Sequence, residues 1–337
     1  MTNPSWLDQF NHPSSTITGI TTASYCLGAF FGCVLNFFIG DILGRRRMIW
    51  LAMGLIIIGA SLQASAYVLA HLIIGRIITG LGTGIDSSTV PMYQSELAKK
   101  EWRGRLISWE IFFIGIGIVL SYWVDYGFSY IDGDVAWRTP IALQLVFAIA
   151  VVFIVWGCPE SPRWLVKKGR TQEAVEVLCH VFDMQPDDEY IRTEMEGIHA
   201  AVNMEKQEDR GGIFSCFKAD ALQTRWRIFL AWFGLFMNQW SGINLVGLQC
   251  LRYQKRSLTG SKVVYYMPLA LQYSVGLPHT ESLLIAGFVE LMFPIGNLLP
   301  ALALDRLGRR PTMMIGAACL SFCMMMITIV SAALHLG

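Results

Sequence analysis

Residues 40–47 read Gly40-Asp41-Ile42-Leu43-Gly44-Arg45-Arg46-Arg47, and 264 residues further on Asp305-Arg306-Leu307-Gly308-Arg309-Arg310 repeats the Asp-x-x-Gly-Arg-Arg pattern. Each copy is a very short basic turn between two apolar stretches, and its glycine suits a turn too tight for a Cβ. Residues 9–40 and 48–75, on either side of the first copy, carry no Asp, Glu, Lys or Arg. About 20 apolar residues cross a bilayer as a helix. Similar runs occupy 139–159, 228–251 and 311–337. Three more qualify with one interior acid: 77–95 around Asp86, 106–124 around Glu110 and 282–304 around Glu290. Eight spans follow, near 17–40, 48–70, 74–95, 106–127, 139–158, 228–275 (interrupted), 282–304 and 312–334. Lipid tolerates only helices or closed barrels, and these runs lack the alternation of barrel strands. The fold class is an all-α polytopic membrane helix bundle.

The composition agrees. Of 337 residues 54% are apolar and only 15% charged, against about 25% in an ordinary soluble protein. Twenty-two of the 51 charges crowd into residues 159–225. A net charge of +1 supplies no field for nucleic acid. The eight cysteines form no CxxC pair, and no nucleophile triad, phosphate loop or metal-ligand cluster appears. The chain therefore reads as no enzyme, with no cofactor, no metal, no nucleic-acid partner and no evident obligate protein partner. Gly80-Leu81-Gly82-Thr83-Gly84 resembles a nucleotide loop only superficially: it lies inside a span, where close helix packing is its reading. No cleaved signal sequence is evident at the start.

Lys and Arg stay on the cytoplasmic side. Counting alternate loops, one side collects Arg45–Arg47, then Lys99, Lys100, Arg103 and Arg105, then 159–225, then Arg306, Arg309 and Arg310. That side is the cytoplasm. Six spans separate the two Asp-x-x-Gly-Arg-Arg turns, so the repeating unit is six helices in parallel orientation. Measured against that unit, one helix is wanting before the first span and three after the last. The expectation is eight of twelve helices: 1–158 from a first half, 159–225 a cytoplasmic linker, and 226–337 part of a second half.

The motifs now on the page resemble those of the sugar porter family of the major facilitator superfamily, in particular its fungal members. They are the two turns above, Gly75-Arg76, Pro91-Met92-Tyr93-Gln94-Ser95-Glu96, Arg103-Gly104-Arg105, Trp137-Arg138, Pro159-Glu160-Ser161-Pro162-Arg163 and Asn238-Gln239-Trp240-Ser241-Gly242-Ile243-Asn244. The resemblance places the spans as family helices two to nine. It implies transport of a hexose or related neutral sugar by alternating access, as facilitator or proton symporter, in a multi-pass plasma-membrane protein whose partners are the sugar, a proton and the lipid bilayer. A membrane sensor that binds sugar without moving it is the alternative.

The resemblance also assigns residues. Asp41, Gly44, Arg45, Arg46, Asp305, Gly308, Arg309 and Arg310 form a cytoplasmic gate with Glu96, Arg103, Glu160 and Arg163, its arginines pairing with the acids while the inside is closed; plain positive-inside anchoring is the other reading. Asn238, Gln239 and Asn244 line the sugar site, with Tyr265 and Tyr266 as outer gate, because amides both donate to and accept from hydroxyls; amides that merely bridge helices are the rival. Arg76 takes the proton-coupling position or acts as a bundle anchor. Departures occur at Ile111 and Phe293, where the family has a glutamine and an asparagine, and at Asn238, where it has a glutamine. Glu110 and Asn297 stand nearby. In the linker, Ala174, Val177, Leu178 and Val181 recur at helical spacing, which predicts short amphipathic helices under the bundle.

Residues 247–263 fit none of this. They bring Arg252, Lys255, Arg256 and Lys262 into the outer half of a span, and their removal restores family spacing from Asn244 to Tyr265. The segment encodes 51 nucleotides, a multiple of three, so a retained short intron is expected; a genuine extracellular insertion, which would split a helix at mid-membrane, is the alternative.

Overall fold

The computed structural model describes residues 4–99, 101–131, 133–208, 224–240, 279–308, 311–319, 321, 322 and 325. Its described elements are helices: α1 (Pro4–Gln9), α2 (Ser15–Leu43), α3 (Arg45–Ala64), α4 (Leu69–Leu97), α5 (Arg103–Phe128), α6 (Val135–Trp156), α7 (Pro162–Lys167), α8 (Thr171–Phe182), α9 (Glu189–Glu208), α10 (Thr224–Trp240), α11 (His279–Glu290), α12 (Met292–Leu307) and α13 (311–319). Among them α2, α3, α5 and α6 are long and apolar enough to cross a membrane. Their outer faces carry bare apolar side chains, such as Phe37 at 68% and Phe153 at 71% exposure. So large an apolar surface is unsuited to water. It is the surface lipid covers.

The helices fall into two compact units, Met1–Ala98 with Gly127–Met237, and Lys99–Tyr126 with Asn238–Gly337. In the first, the 29-residue α4 packs on both α2 and α3, and α3 packs on α6. Small residues make this possible. A Cβ on Gly84 would run into the Ala29 carbonyl of α2, and one on Gly82 would crowd the Ala52 carbonyl of α3. The 80–84 glycine run is thus a packing seam between helices. Met48, Ala52, Ile85, Tyr93 and Ala148 form the core beside it. At the opposite end Trp6, Ala66, Leu72 and Trp137 cluster under α1, and Arg138 donates to the Ala64 and Ala66 carbonyls at 3.0 and 3.1 Å.

The linker is built as helices. Ser161 caps α7, its Oγ accepting from Trp164 N, and Pro162 sits in the first turn, where its missing N–H costs nothing. α8 takes in Ala174, Val177, Leu178 and Val181, and Asp183 closes it in a left-handed conformation at φ 53°. Ala174 and Leu178 are buried with Trp164, Leu165, Ile191, Met195 and Val202 in a core of their own, whereas Val181 is exposed.

In the second unit, Gly287 of α11 faces Tyr122 and Trp123 of α5, and Phe293 of α12 lies over Gly115. The expected single span at 282–304 is instead two helices, with a turn at Leu291. Pro294 explains the break: it has no N–H to give the Glu290 carbonyl, and its ring crowds that carbonyl.

Candidate functional site

The first basic turn organises one end of the first unit. Gly44 lies at φ 91°, ψ 165°, a region essentially restricted to glycine. A Cβ there would also meet Glu160 Oε2 at 2.8 Å. The chain turns sharply, and α3 starts with its first amides aimed at Glu160: Arg45 N and Arg46 N donate to Oε1 at 2.9 and 3.2 Å, and Ser161 N joins them at 3.0 Å. A carboxylate at a helix N-terminus answers both the orphan N–H groups and the positive end of the dipole.

Arg45 then reaches across to α4. Its Nε and Nη2 donate to Glu96 Oε2 and Oε1, both at 3.1 Å, while Nη1 donates to Asp41 Oδ1 at 2.7 Å. Asp41 is the pivot. Its second oxygen accepts from Lys167 Nζ at 2.7 Å, and its carbonyl accepts from Trp164 Nε1 at 2.9 Å. Lys167 also donates to Glu205 Oε1 at 2.8 Å, and Arg163 reaches Glu205 Oε2 at 3.4 Å. Burial draws the Lys167 ammonium down, but its bonds to Asp41 and Glu205 outweigh that and hold it above the ordinary lysine value. Tyr93 on α4 completes the lacing, its hydroxyl donating to the Pro159 carbonyl at 2.6 Å. One network therefore ties α2, α3 and α4 to the linker helices α7 and α9.

A cavity of about 510 Å³ opens beside this network, between α2, α4 and the linker. Its wall includes Asn36, whose amide donates to Ser88 Oγ at 2.8 Å and whose carbonyl oxygen accepts from Thr89 Oγ1 at 3.2 Å.

The expected gate residues divide. Arg45 pairs with Glu96. Glu160 instead caps the α3 backbone, and Arg46 donates from Nη2 to the Trp156 carbonyl at 2.7 Å with its guanidinium 4.8 Å from the Trp50 ring centroid. Arg163 finds Glu205 in the linker. Arg103 opens α5, in the second unit. Arg76 Nη1 donates to the Thr21 carbonyl of α2 at 3.3 Å. Gly308 repeats the positive φ of Gly44, at 81°. The Asp305 side chain, Arg309 and Arg310 lie outside the described residues. Asn238 and Gln239 sit in the last turn of α10; their side chains, Asn244, Tyr265, Tyr266 and the 247–263 segment are outside the described residues too. Asn297 has a buried amide Nδ2 with no hydrogen-bond partner among the described residues, a donor of the kind a hydroxyl could use. Sequence reasoning missed Tyr93, Trp164, Lys167 and Glu205. The Arg163–Lys167 spacing of one helical turn is the signal that could have shown both reaching a common acid.

Long apolar helices, an apolar outer surface and a charge-laced end define a polytopic integral membrane protein. Known proteins narrow the class. Residues 3–248 and 254–336 match the sequence profile described as "Sugar (and other) transporter". Similar proteins include the MFS-type transporter oryC of Aspergillus oryzae, 35% identical over 94% of this chain and 56% of that protein, and the sugar transporter STL1 of Saccharomyces cerevisiae, 32% identical over 90% and 51%. High-affinity glucose transporter 1 of Candida albicans is 30% identical over 93% and 54%. Among solved structures, the proton:xylose symporter XylE bound to 6-bromo-6-deoxy-D-glucose superposes with a TM-score of 0.74 at 22% identity, covering 92% of this chain and 65% of that one. The chain belongs to the sugar (and other) transporter family and has a partial major facilitator fold. It spans about half the length of the curated relatives it matches. The family consists of transporters, not enzymes. Its profile match breaks at 249–253, inside the segment that the spacing singles out.

Proposed function

We propose that this chain is the helix-two-to-nine portion of a plasma-membrane sugar porter, which moves a hexose or related neutral sugar by alternating access. The observation that carries the gate is the network centred on Asp41 and Arg45: it locks three spans to the linker at the end that the charge bias assigns to the cytoplasm. Releasing the linker helices from the first half there requires the Lys167 bridge between Asp41 and Glu205 to open. Asn238, Gln239 and Asn244, with Asn297 added from the geometry, supply the amides for sugar hydroxyls, and Tyr265 and Tyr266 close over them. Asp305, Gly308, Arg309 and Arg310 form the matching turn of the second half, and Arg103 and Arg163 flank the gate. Relatives named for sugar and glucose transport, and a fold shared with a proton:xylose symporter, support this reading; the symporter also makes proton coupling through Arg76 a reading to test.

The test is uptake of labelled hexoses and polyols by cells carrying the gene extended to twelve helices, with and without a proton gradient. Uptake abolished by Asn244→Ala supports the proposal, and dependence on the gradient assigns symport. Sugar binding without uptake would establish the sensor reading instead. The 247–263 segment is proposed to be a retained intron; transcripts that contain only the longer message would reject that.

A further inference from the structure

α4 carries an acid that the network around Asp41 and Arg45 does not use. Asp86 lies near the middle of the 74–95 span, partly exposed and next to the exposed Ser87. It has no hydrogen bond or ion pair among the described residues. The helices packed closely on α4 are α2, α3 and α7. Between residues 15 and 40 α2 offers Tyr25, Cys26 and Cys33 as titratable groups, and α3 offers none between 48 and 64. The charges of α2 and α3, with Arg163 and Lys167 of α7, are gathered at the cytoplasmic end. On α4 itself Arg76 and Glu96 each stand ten residues from Asp86, about 15 Å along the axis. That is too far for an ion pair.

The surroundings of Asp86 are polar toward one end of the helix. Arg76, Thr79, Thr83 and Asp86 recur at i, i+3, i+7 and i+10, which is one helical face. Along it Gln63 Nε2 of α3 donates to Thr79 Oγ1 at 2.7 Å, and Thr83 Oγ1 donates to the Thr79 carbonyl at 3.0 Å. The stripe climbs from Asp86 toward the end of α4 that the charge bias assigns to the outside. Toward the cytoplasm, Val90 and Tyr93 pack into the apolar core with Met48 and Ile49. Asp86 therefore stands at the floor of a polar stripe and above an apolar seal.

An ionised carboxylate without a counter-ion is costly away from water, and such a group escapes the cost by taking a proton. Acids inside a span are rare and mark ion and proton routes. Between residues 15 and 95 the sequence has two acids, Asp41 and Asp86, and Asp41 is spent on Arg45 and Lys167. Arg76 cannot itself be a carrier, because a guanidinium does not give up its proton in proteins. We propose that Asp86 is the carboxyl that carries the coupling proton. One carboxylate oxygen takes a proton from the outer side as the solute loads, and releases it to the cytoplasm once the inner end opens, so one proton enters per turnover. The proposal rests on the transport reading and makes the transport symport.

The twelve-helix protein in proteoliposomes is tested in two modes: accumulation of labelled hexose under a pH difference of one unit, alkaline inside, and counterflow exchange without a gradient. The parent is expected to accumulate up to about tenfold, the limit for one proton per solute. Asp86→Asn, almost the same in shape, is expected to bring the ratio down to one while exchange continues, and Asp86→Glu to restore accumulation in part. Accumulation by Asp86→Asn overturns the proposal. So does a parent that exchanges hexose without accumulating it, which would be a facilitator. Loss of exchange in both Asp86→Asn and Asp86→Glu also overturns it, in favour of a packing role. A parent that does not exchange hexose at all would overturn the transport reading itself, and this proposal with it.

Discussion

Arg45 and Glu96 meet as a two-pronged fork, both bonds 3.1 Å, with 10% and 9% of their side chains exposed. Removing one partner from so sheltered a pair leaves the other charge uncompensated, at a cost of about 3–5 kcal/mol. Arg45 keeps Asp41 in reserve, so Glu96→Gln is expected near the lower end of that range. Arg45→Lys should also destabilise, since an ammonium cannot reproduce the fork. Arg45→Met combined with Glu96→Leu should recover part of the loss. Thermal unfolding in detergent, followed by circular dichroism, measures all four proteins. Single variants indistinguishable from the parent would show that the pair is ornamental.

Gly44 is held by two independent constraints, its dihedrals and the Glu160 carboxylate. Gly44→Ala brings about 1–3 kcal/mol of backbone strain, and its Cβ must also displace the carboxylate that caps α3. Both effects loosen the linker. Cleavage by a protease at the linker should therefore accelerate in Gly44→Ala well before the spans unfold. A linker as resistant as the parent's would contradict the cap.

The α2–α4 seam makes a cleaner test of packing. Gly84→Ala pushes a methyl into the Ala29 carbonyl, which is backbone and has no rotamer in which to retreat. Overpacking of that kind costs about 1–3 kcal/mol. Gly54 on α3 has nothing within 4 Å of its would-be Cβ, so Gly54→Ala should be neutral or gain up to about 1 kcal/mol from helix propensity. The melting temperature of Gly84→Ala should fall while that of Gly54→Ala holds or rises. A joint fall would mean that glycine acts here through flexibility instead of contact.

The spans were readable because lipid imposes a length and a composition that few other structures share. Gly80, Gly82 and Gly84 could be assigned to packing for the same reason: inside a span no phosphate loop can form. The charge network around Arg45 was readable only in part. Arg45 and Glu96 belong to motifs, but which acid meets which base depends on helix rotation, and Glu160 took the α3 amides because Gly44 delivers them to it. Lys167 and Glu205 lie 38 residues apart in an ordinary-looking charged linker; only the fold of α7 against α9 brings them together. Pro294 was visible in the sequence. Its effect on 282–304 was overlooked because hydropathy counts apolar residues and ignores a missing N–H.

Lys167 provides a pH test of the latch. Its ammonium is held above the ordinary lysine value by Asp41 and Glu205. For a base whose folded value is raised, the added stability is complete below the unfolded value and is lost as pH climbs through the folded one. Lys167→Met keeps most of the apolar stem and removes the charge. The melting-temperature gap between parent and variant should therefore be constant from neutral pH into the mildly alkaline range. It should shrink only once the pH passes the ordinary lysine value of 10.5. The gap must be compared at matched salt, because part of the bridge is open to screening. A gap that already closes between pH 7 and 9 would mean that the Asp41–Lys167–Glu205 bridge does not hold the linker, and that the hydrogen bonds from Trp164 and Tyr93 do so alone.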